Sequence, residues 1–132
     1  MIVKKYILEL TEEQAVLVMN ACEMLSRLHI GQYWIISENM LHFRDENYRE
    51  KKTLADAILR CAGLVLNGIN NYDEPKGEKN VICNRAWSIH EVIRYTKSWH
   101  DHPEGGHTVN FDTPLNTLPA GEPLPKCRIT DE

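Results

Sequence analysis

Trp87, His90, Arg94 and Lys97 follow one another at spacings of three, four and three residues. On a helix, those spacings put them on successive turns of one side. A guanidinium and an ammonium attract phosphate or carboxylate. An indole stacks on a flat ring, and an imidazole adds a hydrogen bond. The set suits an anion that carries a ring, such as a nucleotide. The plainer alternative is that Arg94 and Lys97 are solvated and Trp87 packs against another element.

A second cluster is the run 100–107, HDHPEGGH, with three histidines and two carboxylates in eight positions. Histidine, aspartate and glutamate ligate zinc and harder divalent ions. His100, His102 and His107 are therefore candidate metal ligands, or parts of an acid–base pair. No H-E-x-x-H or cysteine pattern accompanies them. Pro103 and Gly105-Gly106 read first as a tight turn, and the Gly-Gly N–H groups as a small anion nest. His107 and Thr108 offer hydrogen bonds to a ribose or phosphate. His100 shares a helical side with Ile89 and Ile93, which reads as a hydrogen-bonded core histidine. A third candidate is the end of the first helix, where Arg27 and Gln32 flank His29 and Gly31. Either Arg27 meets its own helix's last carbonyls, or the pair offers donors to a ligand.

Other chemistry finds little support. There is no G-x-S-x-G, P-loop or G-x-G-x-x-G. Cys22, Cys61, Cys83 and Cys127 form no C-x-x-C pair. Cys22 and Cys61 fall among apolar residues at helical spacing and read as reduced core cysteines. The net charge of -4 argues against binding long nucleic acid, which usually needs a basic face. At 132 residues and 42% hydrophobic, the chain reads as one ordered domain with no membrane span and no signal peptide.

The elements that must position these residues are mostly helices. Residues 3–10 (VKKYILEL) partly alternate and read as a strand. Thr11 and Gln14 make a capping box, with Glu12 and Glu13 at the positive end of the dipole. Val18, Cys22 and Leu25, beside Ala21, Met24 and Leu28, form the first apolar stripe, which stops near Gly31. Residues 32–43 read as a short helix. Residues 45–67 form a second major helix, with Leu54, Ala57, Ile58, Cys61, Leu64 and Val65 at threes and fours. Residues 70–80 form a polar loop. The third major helix spans 81–100. Five of the six prolines fall in 102–132, which is mostly non-helical. The segments 107–111 (HTVNF) and 126–129 (KCRI) read as strands. The expected architecture is α+β and mostly helical. Three to four helices carry a small antiparallel β element and an extended Pro-rich C-terminal segment. One domain spans 1–132, with a core at about 3–112 and a tail at 113–132.

SRLHIGQ (26–32), AWSIHEVIRY (86–95), WHDHPEGGHTVNFDTPL (99–115) and EPLPK (122–126) resemble a family of small uncharacterised proteins of tailed bacteriophages and prophages. The resemblance runs from Tyr6 to Lys126. It rests on polar residues: Arg27, Gln32, His90, Arg94, His107, Thr108 and Asp112. The segment NNYDEPKGEKN is longer than the family's Asn-rich turn, so no role is carried to Asn70, Asn71 or Tyr72. The resemblance implies a phage accessory protein in the bacterial cytoplasm and supplies no mechanism.

Three readings follow. In the first, the chain sequesters a small anionic, nucleotide-type ligand, an immune signal of the host, without cofactor or turnover. Its ligand-binding residues would be Arg27, Gln32, Trp87, His90, Arg94, Lys97, His107 and Thr108. A chain this small would enclose a ligand most easily as a homo-oligomer. In the second, it is an interaction module anchored by Tyr33, Trp34 and Trp87. In the third, it is a metal-dependent phosphodiesterase or nuclease that uses His100, His102 and His107.

Overall fold

Thr11 starts α1 (Glu12–His29) as its sequence predicts. Its hydroxyl accepts from the Gln14 N–H, and the Gln14 side chain accepts from the Thr11 N–H. The computed structural model describes residues 4–67 and 78–131. Among these, α1 is followed by α2 (Trp34–Met40), α3 (Tyr48–Asn67), α4 (Glu78–Asp101) and a 3-10 turn at Val109–Phe111. Gly31 takes a positive φ of 83°, which lets the chain reverse between α1 and α2.

The expected α+β class is overturned, because no strand occurs among the described residues. The segment 4–10 lies open to solvent with no neighbouring strand, and Tyr6 is 94% exposed. An alternating pattern makes a strand only where another strand supplies hydrogen bonds. Residues 107–111 close into the 3-10 turn instead. There, Phe111 N–H donates to Thr108 C=O at 3.2 Å and Asp112 N–H to Val109 C=O at 3.1 Å. Residues 126–129 belong to no helix and pair with no strand among the described residues. Three helices also differ in their bounds, the short helix expected over 32–43 covering only Trp34–Met40. The second major helix starts at Tyr48 rather than 45, after a turn with Asn47 at φ 56°. The third starts at Glu78 rather than 81. The expected loop 70–80 lies outside the described residues up to 77.

α1 and α4 pack antiparallel in a regular register. Cys83 Sγ meets Ser26 Oγ at 3.2 Å, His90 Nδ1 meets Met19 C=O at 3.1 Å, and Lys97 Nζ meets Glu12 Oε1 at 3.0 Å. Seven residues along α4 correspond to seven back along α1, the two-turn repeat of helices packed at a shallow angle. The core is small. Among the described residues, Ile35, Cys83, Ala86 and Val92 are its buried apolar side chains, with Ser26, Ser37, Ser88 and His90 also buried.

α2 and α3 form a second pair. The Ser37 hydroxyl donates to the Asp56 carboxylate, and Lys52 Nζ donates to Asp56 Oδ2 at 2.9 Å. These two bonds, Ser37 first, hold the Asp56 carboxyl below its ordinary range. Tyr33 packs against Gly63, where an added Cβ would fall 3.0 Å from its ring. The α3 stripe of Leu54, Ile58, Leu64 and Val65 is not part of a core; all four are exposed. Cys61 on the same stripe is exposed too, not a core cysteine. Cys22 is half-buried, and burial raises its thiol pKa. The proline-rich tail is held along α4. Arg85 grips Glu122 with two nitrogens at 2.6 and 3.0 Å, and Asn84 donates to Thr117 C=O at 3.2 Å.

Candidate functional site

The α4 side chains singled out by spacing divide between two adjoining places, with Arg94 at the junction. The first is an aromatic–cation cluster between the end of α1, α2 and α4. The Arg27 guanidinium lies 5.6 Å from the Trp34 ring and 5.7 Å from the Trp87 ring. Arg94 lies 5.9 Å from Trp87, and the His90 ring 4.9 Å from it. Arg27 also donates to Glu23 at 3.0 Å and to Gln32 Oε1 at 2.7 Å. Arg27 and Gln32 therefore bind each other, and Trp87 is already engaged by cations of its own chain.

His90 is a structural member of the cluster rather than an open donor. It is buried, and its Nδ1–H donates to the Met19 carbonyl, which leaves Nε2 as the unprotonated nitrogen. Burial foremost, with Arg94 and Arg27 nearby, pushes its pKa below 6.5. The Met19 bond and Glu23 act the other way.

The second place is a cleft of about 500 Å³ between the C-terminal turns of α4 and the loop that follows. Arg94, Lys97, Ser98 and Asp101 form its α4 wall, and His102, Thr108, Asn110 and Phe111 form the opposite one. Lys97 is paired with Glu12 and Asp101. Those bonds, Asp101 first, raise the Lys97 pKa, and Lys97 in turn lowers that of Asp101. The sequence expectation passed over Asp101, although its spacing of four from Lys97 is the usual helical ion-pair signal. Arg94 differs from Lys97. It is largely shielded, and its one ion pair among the described residues is a loose 3.8 Å contact with Glu91. Among those residues its donors are thus mostly unused at the rim of a cleft.

The loop 102–106 takes its shape from packing. An added Cβ on Gly106 would fall 2.5 Å from the Phe111 ring, and one on Gly105, at φ 81°, 2.9 Å from Trp99. Trp99 Nε1–H donates to Phe111 C=O at 3.3 Å. The turn reading of Gly105-Gly106 thus has a definite reason: only glycine lets these rings approach.

Thr108 reaches the cleft, and His107 is exposed and does not line it. His100 is exposed, contrary to the expected core histidine. In the α1–α4 register it stands past Lys97, which already faces the start of α1, so no partner helix covers it. His100 meets Asp101 at 3.4 Å and His102 meets Glu104 at 3.7 Å. No group of three or more His, Cys, Asp or Glu is placed to hold a metal among the described residues. The geometry therefore does not gather His100, His102 and His107. No helix among the described residues is long and apolar enough to cross a membrane. Comparison with family models, with curated proteins and with solved structures gives no match.

Proposed function

We propose that this chain binds and holds a small anionic ligand of nucleotide type without transforming it, at the cleft between α4 and the 102–111 loop. The observation that carries the reading is Arg94. It is a largely shielded guanidinium resting on Trp87, loosely paired, at the rim of a 500 Å³ cleft. Such a group gives a phosphate charge-assisted hydrogen bonds in a partly dry setting. Thr108 and Asn110 on the facing wall supply neutral hydrogen-bond groups for a sugar or a second phosphate oxygen. Of the residues read as ligand-binding, Arg94, Lys97 and Thr108 belong to this cleft. Arg27, Gln32, Trp87 and His90 form the support behind Arg94, and His107 stands outside.

The biological setting follows from the resemblance to phage and prophage proteins. In it, the ligand is a nucleotide signal of a bacterial antiviral system, held in the host cytoplasm by a phage accessory protein. A homo-oligomer whose subunits complete one another's sites suits so open a cleft. Long nucleic acid suits it less, given the net charge of -4.

The test uses purified protein and a panel of cyclic di- and trinucleotides and ADP-ribose derivatives. Bound ligand is separated from free, released by heat and identified by mass spectrometry. The expected result is one compound recovered intact. A chemically altered product would make the chain an enzyme, and a panel with no binder would remove the small-ligand reading.

A further inference from the structure

We infer that the exposed face of α3 is the seam through which two copies of this chain pair, antiparallel, about a two-fold axis near residues 59 and 60. The inference is independent of the ligand reading. Leu54, Ala57, Ile58, Cys61, Leu64 and Val65 recur at threes and fours, the spacing of one helix face. Leu54 is 64% exposed, Ile58 60% and Val65 83%. α3 packs on the seven-residue α2, on Gly31 and Tyr33 between α1 and α2, and through Asn67 on the Leu28 carbonyl of α1, with no comparable packing against α4 among the described residues. An amphipathic helix with this stripe uncovered lacks the partner its sequence provides for.

Area points the same way. The stripe leaves on the order of 500 Å² of apolar side chain uncovered, at the upper end of what monomers show. With the flanking Arg49, Glu50 and Thr53, it approaches the roughly 800 Å² per partner of a standard interface.

The occupant is a second copy because the stripe complements its own reverse. With two α3 helices antiparallel, Leu54 faces the partner's Val65 and Ile58 faces the partner's Cys61, and both pairs repeat by symmetry. The large Ile58 meets the small Cys61 on either side of the axis, as knobs meet holes. The six stripe positions carry no charge, so a charged partner surface gains nothing there. At the N-terminal end, Arg49, Glu50, Thr53, Leu54 and Ala57 line an open hollow of about 500 Å³. The same pairing brings the partner's Val65 end to it.

The experiment measures the mass of the full chain in solution at micromolar concentration, by light scattering or sedimentation. The expected mass is that of a dimer or a multiple of it, falling with Leu54→Glu or Ile58→Glu while circular dichroism keeps the helix signal. Should those variants fail to fold, Cys61 decides. In a Cys127→Ser chain, a short bis-maleimide is expected to join two copies through Cys61, and to stop doing so in urea. A monomeric wild-type chain would overturn the inference. So would an assembly that keeps its mass in a folded Ile58→Glu variant, or one in which Cys61 is never cross-linked.

Discussion

The His90 imidazole reaches from α4 to the Met19 carbonyl on α1, 3.1 Å away, in its neutral form. The bond sits midway between the Cys83–Ser26 and Lys97–Glu12 contacts and so sets the register of the two longest-packed helices. Its pKa in the folded chain lies below the ordinary 6.5, chiefly because the ring is buried. The unfolded chain then takes up this proton first as pH falls. The stability contributed by neutral His90 is complete above 6.5 and is lost as pH drops from there toward the folded value. Each pH unit between the two values is worth about 1.4 kcal/mol. Melting temperature is expected to fall between pH 7 and pH 5, and the His90 ring proton should titrate below 6.5 by NMR. A midpoint at or above 6.5 would remove His90 as the source.

Ser88, also on α4, offers a contrasting case. Its hydroxyl is fully buried and has no hydrogen-bond partner among the described residues. A buried hydroxyl left unpaired costs about 1–3 kcal/mol, and alanine also favours a helix interior slightly. Ser88→Ala is therefore expected to raise stability by about 1 kcal/mol, or a few degrees of melting temperature. A clear loss of stability would mean that the hydroxyl is satisfied in solution.

The two glycines of the 102–106 loop separate packing from backbone freedom. At Gly106 an added Cβ meets the Phe111 ring, and at Gly105 it meets Trp99 with φ already positive. Gly121 has a φ of 84° but nothing within 4 Å. Gly105→Ala and Gly106→Ala are each expected to cost about 1–3 kcal/mol and to shift the Trp99 fluorescence. Gly121→Ala should cost only its backbone strain and leave that fluorescence unchanged. Equal effects at all three positions would show that the rings do not constrain the loop.

The helices were legible because their signals are local. Thr11 with Gln14, the Gly31 stop and the spacing within 45–67 all act inside one turn or two. What failed needed a partner. The alternation of 3–10 predicts a strand, but pairing requires a second strand that the described residues do not form. The α3 stripe predicts burial without saying against what. His90 and His100 exchange their expected roles for a related reason. Helical spacing puts His100 beside Ile89, but whether that side is covered depends on where α1 begins, and α1 begins opposite Lys97. Of the candidate site, the spacing of Arg94 from Trp87 and Lys97 was readable. That Gln32 would be taken by Arg27, and Lys97 by Glu12, follows only from the packed geometry.

Arg94 and Asp101 face one cleft with opposite charges, and that opposition makes the anion reading testable from both sides. Arg94→Ala removes charged donors that an anion would use, at an expected cost of about 1.5–3 kcal/mol in binding. Arg94→Lys keeps the charge but loses the planar fork resting on Trp87, so it should recover only part of that loss. Asp101→Asn acts in the other direction. It removes a carboxylate from the wall and frees Lys97 of one of its two acidic partners. Anion affinity should rise, and the rise should shrink as added salt screens the cleft. Titration calorimetry on the three variants, with the ligand recovered from the panel, reads all of this. Weaker binding in Asp101→Asn would mean that the ligand presents a donor or a cation to Asp101. Unchanged affinity in Arg94→Ala would place the ligand elsewhere.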